Sequence, residues 1–263
     1  MSGRVANLII PGACKSGTSS LHTYLGRHAD IFMSQRKEPH FFSSDDYFEQ
    51  GSGAYAELFE ESGSARILGE SSTTYMIFPN VIERIADTLE DPRFIFALRN
   101  PVERVESHHR WLQALGLEDL PLKQAFMYDR GDAPDFRASR QGDKGNKFGY
   151  YDQESRYGTH IERFITQFGR DRVLVITTET LASDPQSTLD QCARFLGVAP
   201  FTGVETVWDN ATPDRGQDRI ADDDRRWLRG FFVEEVARLR EITGMPFDEW
   251  EQDYPMDSTL HAR

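Results

Sequence analysis

A lysine, two glycines and several hydroxyl side chains lie close together near the start of the chain, in the segment PGACKSGTSSL. Glycines let the backbone curl so that successive N–H groups point inward, and a following helix N-terminus adds partial positive charge. The lysine contributes a full charge, and the serines and threonine contribute further donors. The segment therefore predicts a loop that binds the phosphate of a nucleotide, formed by Lys15, Ser16, Gly17, Thr18, Ser19 and Ser20.

This loop differs from the Walker A loop, which has a longer spacer between its first glycine and a Gly-Lys-Ser/Thr group. Here Lys15 lies between Gly12 and Gly17 instead of following the second glycine. A magnesium-bound triphosphate is therefore not the ligand that the loop predicts. A nucleotide-dependent kinase or other P-loop phosphotransferase stays an alternative, and so does a non-catalytic nucleotide-binding protein.

A second basic position follows the apolar run RFIFAL, in the segment RNPVERVESHH. Arg99 comes directly after this predicted strand, and ligands of open α/β sheets bind at the carboxyl ends of the strands. Ser107 follows two helical turns later. Together the two side chains could hold a second phosphate, whereas an arginine alone at the end of a strand is usually a surface or ion-pair residue.

The elements that would position these residues alternate along the chain. Apolar runs predict strands at residues 5–10, 66–69, 93–98 and 172–177, and helical periodicity predicts helices at 18–27, 101–115, 155–168 and 225–243. Polar segments at 129–152 and 209–224 interrupt this pattern. Alternation of this kind predicts an α/β fold with a central, mostly parallel sheet flanked by helices. We expect one P-loop-type domain over residues 1–263.

Charge and hydropathy narrow the choice of partners. A net charge of −13 argues against nucleic acid and against a long polyanionic substrate. Mean hydropathy is −0.57, and no apolar run is long enough to span a bilayer. The apolar stretch at the N-terminus is too short for a signal peptide, so we expect a cytoplasmic protein without a membrane span.

Four segments together resemble the PAPS-dependent sulfotransferases (PAPS is 3′-phosphoadenosine 5′-phosphosulfate), closest to the glycosaminoglycan and bacterial small-molecule branch. CKSGTSSL resembles the 5′-phosphosulfate loop of that family, and FALRNPVERVESHH resembles its 3′-phosphate motif. KEPHFFS and GESSTTYM resemble two further segments of the glycosaminoglycan branch. Order and spacing match for all four, over roughly residues 5 to 115.

The resemblance implies transfer of the sulfuryl group from PAPS to a hydroxyl of a small-molecule acceptor (a metabolite, lipid or sugar), giving PAP without a metal. It implies that Lys15 reaches the 5′-phosphate and the bridging oxygen, and that Arg99 and Ser107 hold the 3′-phosphate. Glu38 would take the proton of the acceptor hydroxyl. His40 would orient the acceptor or act as the base itself.

Other positions depart from the family pattern or match it loosely. Ser71 and Ser72 stand where the glycosaminoglycan branch usually has lysine and threonine, so a positive charge is missing from the expected substrate cleft. Arg215 and Gly216 would be the pair that closes over the 3′-phosphate. Tyr157 would stack near the adenine or pack its own helix.

Overall fold

Short, mainly apolar runs form the strands of one sheet in the computed structural model, which describes residues 3–130, 150–204 and 220–256. Over these residues every strand pairing is parallel, and the order is β2-β3-β1-β4-β5. The predicted α/β class with a central parallel sheet is confirmed. The strands are β1 (Leu8–Ile10), β2 (Ile31–Met33), β3 (Ile67–Ser71), β4 (Arg93–Leu98) and β5 (Val173–Thr177).

Helices connect and follow the strands. Pro101 and Pro185 each begin a helix, since the fixed φ of proline suits the first turn. The last helix begins with three aspartates, whose charges favour a helix N-terminus. The helices are α1 (Thr18–Leu25), α2 (Asp45–Phe48), α3 (Gly51–Ala56), α4 (Asn80–Thr88), α5 (Pro101–Ala114), α6 (Leu122–Asp129), α7 (Tyr157–Phe168), α8 (Thr178–Ser183), α9 (Pro185–Leu196) and α10 (Asp222–Thr243).

Alternation along β4 shows how both faces of the sheet are buried. Ile95 and Ala97 belong to an aliphatic cluster that includes residues of α1 and α9. Phe94 and Phe96 point to the opposite face, where their ring centroids lie 5.0 and 5.1 Å from that of Phe164 on α7. Because successive side chains of a strand alternate between faces, one six-residue run contributes to both layers.

The chain divides into two compact units, and the single-domain organisation stays a prediction. The first comprises Met1–Arg99 and His160–Asn210 and contains the whole sheet. The second comprises Asn100–Thr159 and Ala211–Arg263 and contains α5, α6 and α10. No helix among the described residues is long and apolar enough to cross a membrane.

A buried arginine organises part of the second unit. Arg104 on α5 is completely buried, and its guanidinium donates to Ser155 Oγ (2.6 Å) and to the Tyr151 carbonyl. Asp152 accepts hydrogen bonds from Arg130 and Arg156 nearby. These contacts tie the start of α5 to the residues that precede α7.

Element ends differ from the sequence predictions by a few residues. β1 begins at Leu8 and not at residue 5. Just before it, the Asn7 side chain accepts from the Leu68 amide (2.8 Å), and the Asn7 backbone carbonyl accepts from the Arg93 amide (2.9 Å). α10 begins at Asp222, three residues before the predicted start, because the aspartates form its first turn. β2, α4 and α9 were not predicted from the sequence.

Candidate active site

The candidate site lies at the carboxyl edge of the sheet. β1 is paired with β3 on one side and β4 on the other. The loop that leaves β1 therefore lies between the segment that follows β3 and Arg99, which follows β4. Carboxyl ends of parallel strands are the usual ligand-binding edge of such sheets.

The loop after β1 ends at the start of helix α1. Gly17 caps α1 in the left-handed region (φ 78°), and no side chain caps this helix. Ser16 Oγ is buried and has no hydrogen-bond partner among the described residues. An orphaned buried hydroxyl is costly unless a ligand satisfies it. The chemistry of this loop thus fits the phosphate that the sequence predicted.

Positive charge gathers around this loop. Burial lowers the pKa of the Lys15 ammonium; the neighbouring Cys14 raises it, while Arg99 and Lys37 lower it further. Three cations from three separate segments therefore lie close enough to repel one another. Such an arrangement suits an anionic ligand, which would relieve the repulsion.

Glu38 is held on both of its carboxylate oxygens. Oε1 lies 2.7 Å from Lys37 Nζ, and Oε2 accepts from the Thr73 amide (2.8 Å) and from Thr73 Oγ1 (3.3 Å). The Glu38 side chain keeps 29% of its surface exposed. It is therefore fixed in orientation and still accessible to a ligand. Each carboxylate oxygen has lone pairs for a further hydrogen bond.

His40 lies beside this carboxylate. Its Nε2 is 3.9 Å from Glu38 Oε2, and its Nδ1 is 2.9 Å from Thr74 Oγ1. Burial lowers the pKa of His40; Glu38 raises it, and Arg36 and Lys37 lower it. The net effect favours a neutral imidazole at neutral pH, which can accept or donate one hydrogen bond.

The three predicted catalytic residues share an unusual backbone conformation. Lys15, Glu38 and His40 have φ values of 64°, 54° and 58°, and Phe247 is the only other non-glycine residue with positive φ in the described ranges. This conformation costs an L-residue about 1–3 kcal/mol and recurs at functional sites, where the surroundings maintain it. The predicted catalytic residues are therefore three of the four non-glycine residues with this backbone conformation in the described ranges.

Two residues near the predicted catalytic residues were not assigned a role from the sequence. His22 on α1 has Nδ1 2.8 Å from Ser71 Oγ. Burial lowers the pKa of His22 to about 4, Lys37 lowers it too, and the Ser34 carbonyl and Glu38 act in the opposite direction. Glu70 is completely buried, which raises its pKa to about 8. GESSTTYM pointed to Glu70's segment, whereas no sequence pattern pointed to His22.

The remaining predicted site residues do not belong to the described part of the first unit. Ser107 (on α5) and Tyr157 belong to the second unit and are buried there. The Tyr157 ring centroid lies 6.2 Å from that of Trp250. Both alternatives for Tyr157, stacking near the adenine and packing its own helix, stay predictions. Arg215 and Gly216 lie outside the described residues.

An open cavity adjoins His40. It has a volume of about 600 Å³, within the range of small-molecule sites. The Arg36 guanidinium carbon lies 5.6 Å from the centroid of the Tyr47 ring at its wall. Its lining is mostly polar and consists of Arg36, Pro39, His40, Ser44, Tyr47, Gln50 and Glu57.

Comparison with known families decides the class of this site. The model of the sulfotransferase domain matches residues 6–212, which is most of the chain. The chain belongs to the sulfotransferase family. The family predicted from the four sequence segments is thus confirmed.

A solved structure supports the same assignment for this sulfotransferase over nearly its whole length. The crystal structure of a sulfotransferase from Alicyclobacillus acidocaldarius is 30% identical, with a TM-score of 0.77. The match covers 94% of this chain and 99% of that one.

Curated relatives of the sulfotransferase are longer proteins. The membrane-associated sulfotransferase kil1 of Dictyostelium discoideum is 36% identical over 114 residues, or 41% of this chain and 24% of that protein. Human heparan sulfate glucosamine 3-O-sulfotransferase 6 is 28% identical over 210 residues, or 80% of this chain and 57% of that protein. The chain thus spans less than two-thirds of the length of these relatives.

Proposed function

We propose that this sulfotransferase moves the sulfuryl group of PAPS to a hydroxyl of a small-molecule acceptor and releases PAP. The observation that carries the proposal is the shared edge of the sheet: Lys15 follows β1, Glu38 follows β2, and β3 lies between these two strands. Both residues have a constrained backbone conformation. One residue supplies positive charge and the other a proton acceptor, which are the two functions that sulfuryl transfer needs.

The donor would be held by groups of the loop after β1 and by Arg99. PAPS, when bound, supplies the sulfuryl group and a phosphate leaving group. The start of α1, which no side chain caps, and the orphaned Ser16 Oγ support binding of the 5′-phosphate. Lys15 would offset the charge that grows on this phosphate. Arg99 and Ser107 would bind the 3′-phosphate, and the Arg215-Gly216 pair would close over it.

Glu38 would act as the base, with His40 orienting the acceptor. As the acceptor oxygen bonds to sulfur, the bond from sulfur to the bridging oxygen breaks, and Glu38 takes the hydroxyl proton. The hydrogen bonds from Thr73 fix the carboxylate for this step. The low pKa of His40 keeps its ring neutral, so it can contact a hydroxyl without adding charge.

The cavity beside His40 supports a small, polar acceptor. Its volume of about 600 Å³ and its polar walls suit a hydroxylated metabolite or sugar better than a lipid chain. The relatives named for heparan sulfate suggest a carbohydrate. A long polyanionic glycan is disfavoured by the net charge of −13 and by Ser71, which replaces a lysine of the branch.

Calorimetric titration with PAP, ADP and ATP–magnesium tests the donor. We expect PAP to bind with a Kd near or below about 1 μM. ADP and ATP–magnesium should bind much more weakly, because only PAP carries one phosphate at the 5′ position and another at the 3′ position. Tightest binding of ATP–magnesium would contradict the proposal and favour a phosphotransferase. Incubation with radiolabelled PAPS and a panel of neutral sugars, phenols, sterols and heparan fragments then tests the acceptor class.

A further inference from the structure

A completely buried carboxyl group lies directly behind the candidate catalytic loop. Glu70 on β3 is fully enclosed, and hydroxyls surround its carboxyl. Ser72 Oγ donates to Oε2 (2.9 Å) and Tyr55 OH donates to Oε1 (3.4 Å). The Tyr75 hydroxyl lies near enough to the carboxyl group to lower its pKa, against the effect of burial. A buried carboxyl is retained only where such partners offset its desolvation.

Two of these hydroxyls reach onward to the backbone of the loop that carries the catalytic candidates. Ser72 Oγ accepts from the His40 amide (3.1 Å), and Tyr75 OH accepts from the Phe42 amide (3.1 Å). Glu70 is thus connected to the loop by hydrogen bonds through Ser72, and the neighbouring Tyr75 hydroxyl holds the loop at a second amide. The Tyr55 hydroxyl contacts Glu70 but no backbone amide of the loop, although its ring stacks on Phe41.

The loop needs such support because its conformation is unfavourable by itself. Glu38 and His40 both have positive φ, and residues Phe41–Ser43 form a single 3₁₀ turn. Backbone of this kind persists only where surrounding contacts over-determine it. The amides of His40 and Phe42 would otherwise be free to rotate away from this arrangement.

We propose that Glu70 is a positioning residue: through the hydroxyls of Ser72 and Tyr75 it fixes the His40–Phe42 backbone and thereby the orientation of Glu38 and His40. Its effect on turnover rests on the proposed function, whereas its effect on the loop does not. An apolar residue of similar size would fill the same space, but it would leave both hydroxyls without their acceptor.

Hydrogen exchange tests the anchoring without any substrate. We expect faster exchange of the Phe42 amide in Tyr75→Phe and of the His40 amide in Ser72→Ala. Tyr55→Phe is the matched control, since it removes a hydroxyl from the same carboxyl but no link to the loop. Unchanged exchange in Tyr75→Phe and Ser72→Ala, or equal acceleration in Tyr55→Phe, would overturn the proposal.

Kinetics test the consequence for catalysis. We expect Tyr75→Phe and Glu70→Ala to lower kcat about tenfold or more with PAP affinity unchanged, since a small misplacement of a catalytic group has effects of this size. Glu70→Gln should restore most of kcat, because its amide can bond both hydroxyls. A parallel loss of PAP affinity, or no recovery in Glu70→Gln, would contradict positioning. If the Tyr75→Phe and Ser72→Ala variants show faster amide exchange but the wild type transfers no sulfuryl group, the anchoring of the loop would be supported and the proposed function would be rejected.

Discussion

The backbone amide of Thr73 donates a hydrogen bond to Glu38 Oε2 over 2.8 Å, although 35 residues separate them. The Glu38 amide in turn donates to the Ser71 carbonyl (2.8 Å). The last residue of β3 therefore holds the backbone of Glu38, and the segment that follows β3 holds its side chain. This double attachment explains how an accessible carboxylate keeps one orientation in a loop.

Glu38→Gln should abolish most of the turnover without loosening the loop. The amide oxygen can still accept from Thr73, but it cannot take a proton, so we expect kcat to fall by about 10²–10⁴. PAP affinity should not change, because Glu38 does not contact the donor phosphates in the proposed arrangement. Single-turnover kinetics and calorimetry would separate the two effects.

His40→Asn serves as the comparison for Glu38→Gln. If His40 only orients the acceptor, its loss should raise the acceptor KM more than it lowers kcat. A larger fall in kcat for His40→Asn than for Glu38→Gln would transfer the role of base to the histidine.

Arg99→Ala should weaken PAP about 10- to 100-fold, the usual range for losing a charged hydrogen bond to a phosphate. Binding of 5′-AMP, which has no 3′-phosphate, should change little. Arg66→Ala is a suitable control because this exposed arginine precedes β3, at the opposite end from Ser71. Equal weakening of PAP and 5′-AMP would mean that Arg99 does not bind the 3′-phosphate.

Arg36→Ala should raise the acceptor KM and leave PAP affinity unchanged, because Arg36 lines the cavity beside His40. We expect about a tenfold increase for a polar acceptor that Arg36 contacts directly. Arg66→Ala again controls for the lost charge. An unchanged KM for every acceptor that the enzyme uses would exclude this cavity as the acceptor site.

His22 should make the fold less stable as the pH falls. The pKa of His22 is about 4 in the folded chain, whereas its ordinary value is 6.5. Between pH 6.5 and pH 4, the imidazole therefore binds a proton in the unfolded chain but not in the folded chain. The contribution of His22 to the free energy of unfolding is greatest above pH 6.5 and decreases as the pH falls towards 4. Between these two pH values, the free energy of unfolding should fall by roughly 2–3 kcal/mol because of His22.

Urea unfolding of the wild type and His22→Asn between pH 7 and pH 4 measures this contribution. Asparagine can still accept from Ser71 Oγ but does not titrate. The variant should therefore lose less stability than the wild type over that interval. Parallel stability curves would show that His22 titrates normally in the folded chain.

Local sequence was enough to predict the elements that have strong local signals. The glycine loop between β1 and α1, the apolar run of β4 and Arg99 directly after it are contiguous in the chain, so spacing alone placed them. β2 was missed because three apolar residues do not distinguish strand from helix or loop. Pairing with β3 decides its conformation.

The tertiary structure decided which side chains act together. Parallel strands are joined by long crossovers, so residues that meet at the sheet edge lie far apart in sequence. The Thr73 contact with Glu38, the His22 contact with Ser71 and the burial of Glu70 all depend on this edge. The sequence by itself determined the family and the candidate base, because both reside in short motifs. Only the pairing of β3 beside β2 determined how that base is held.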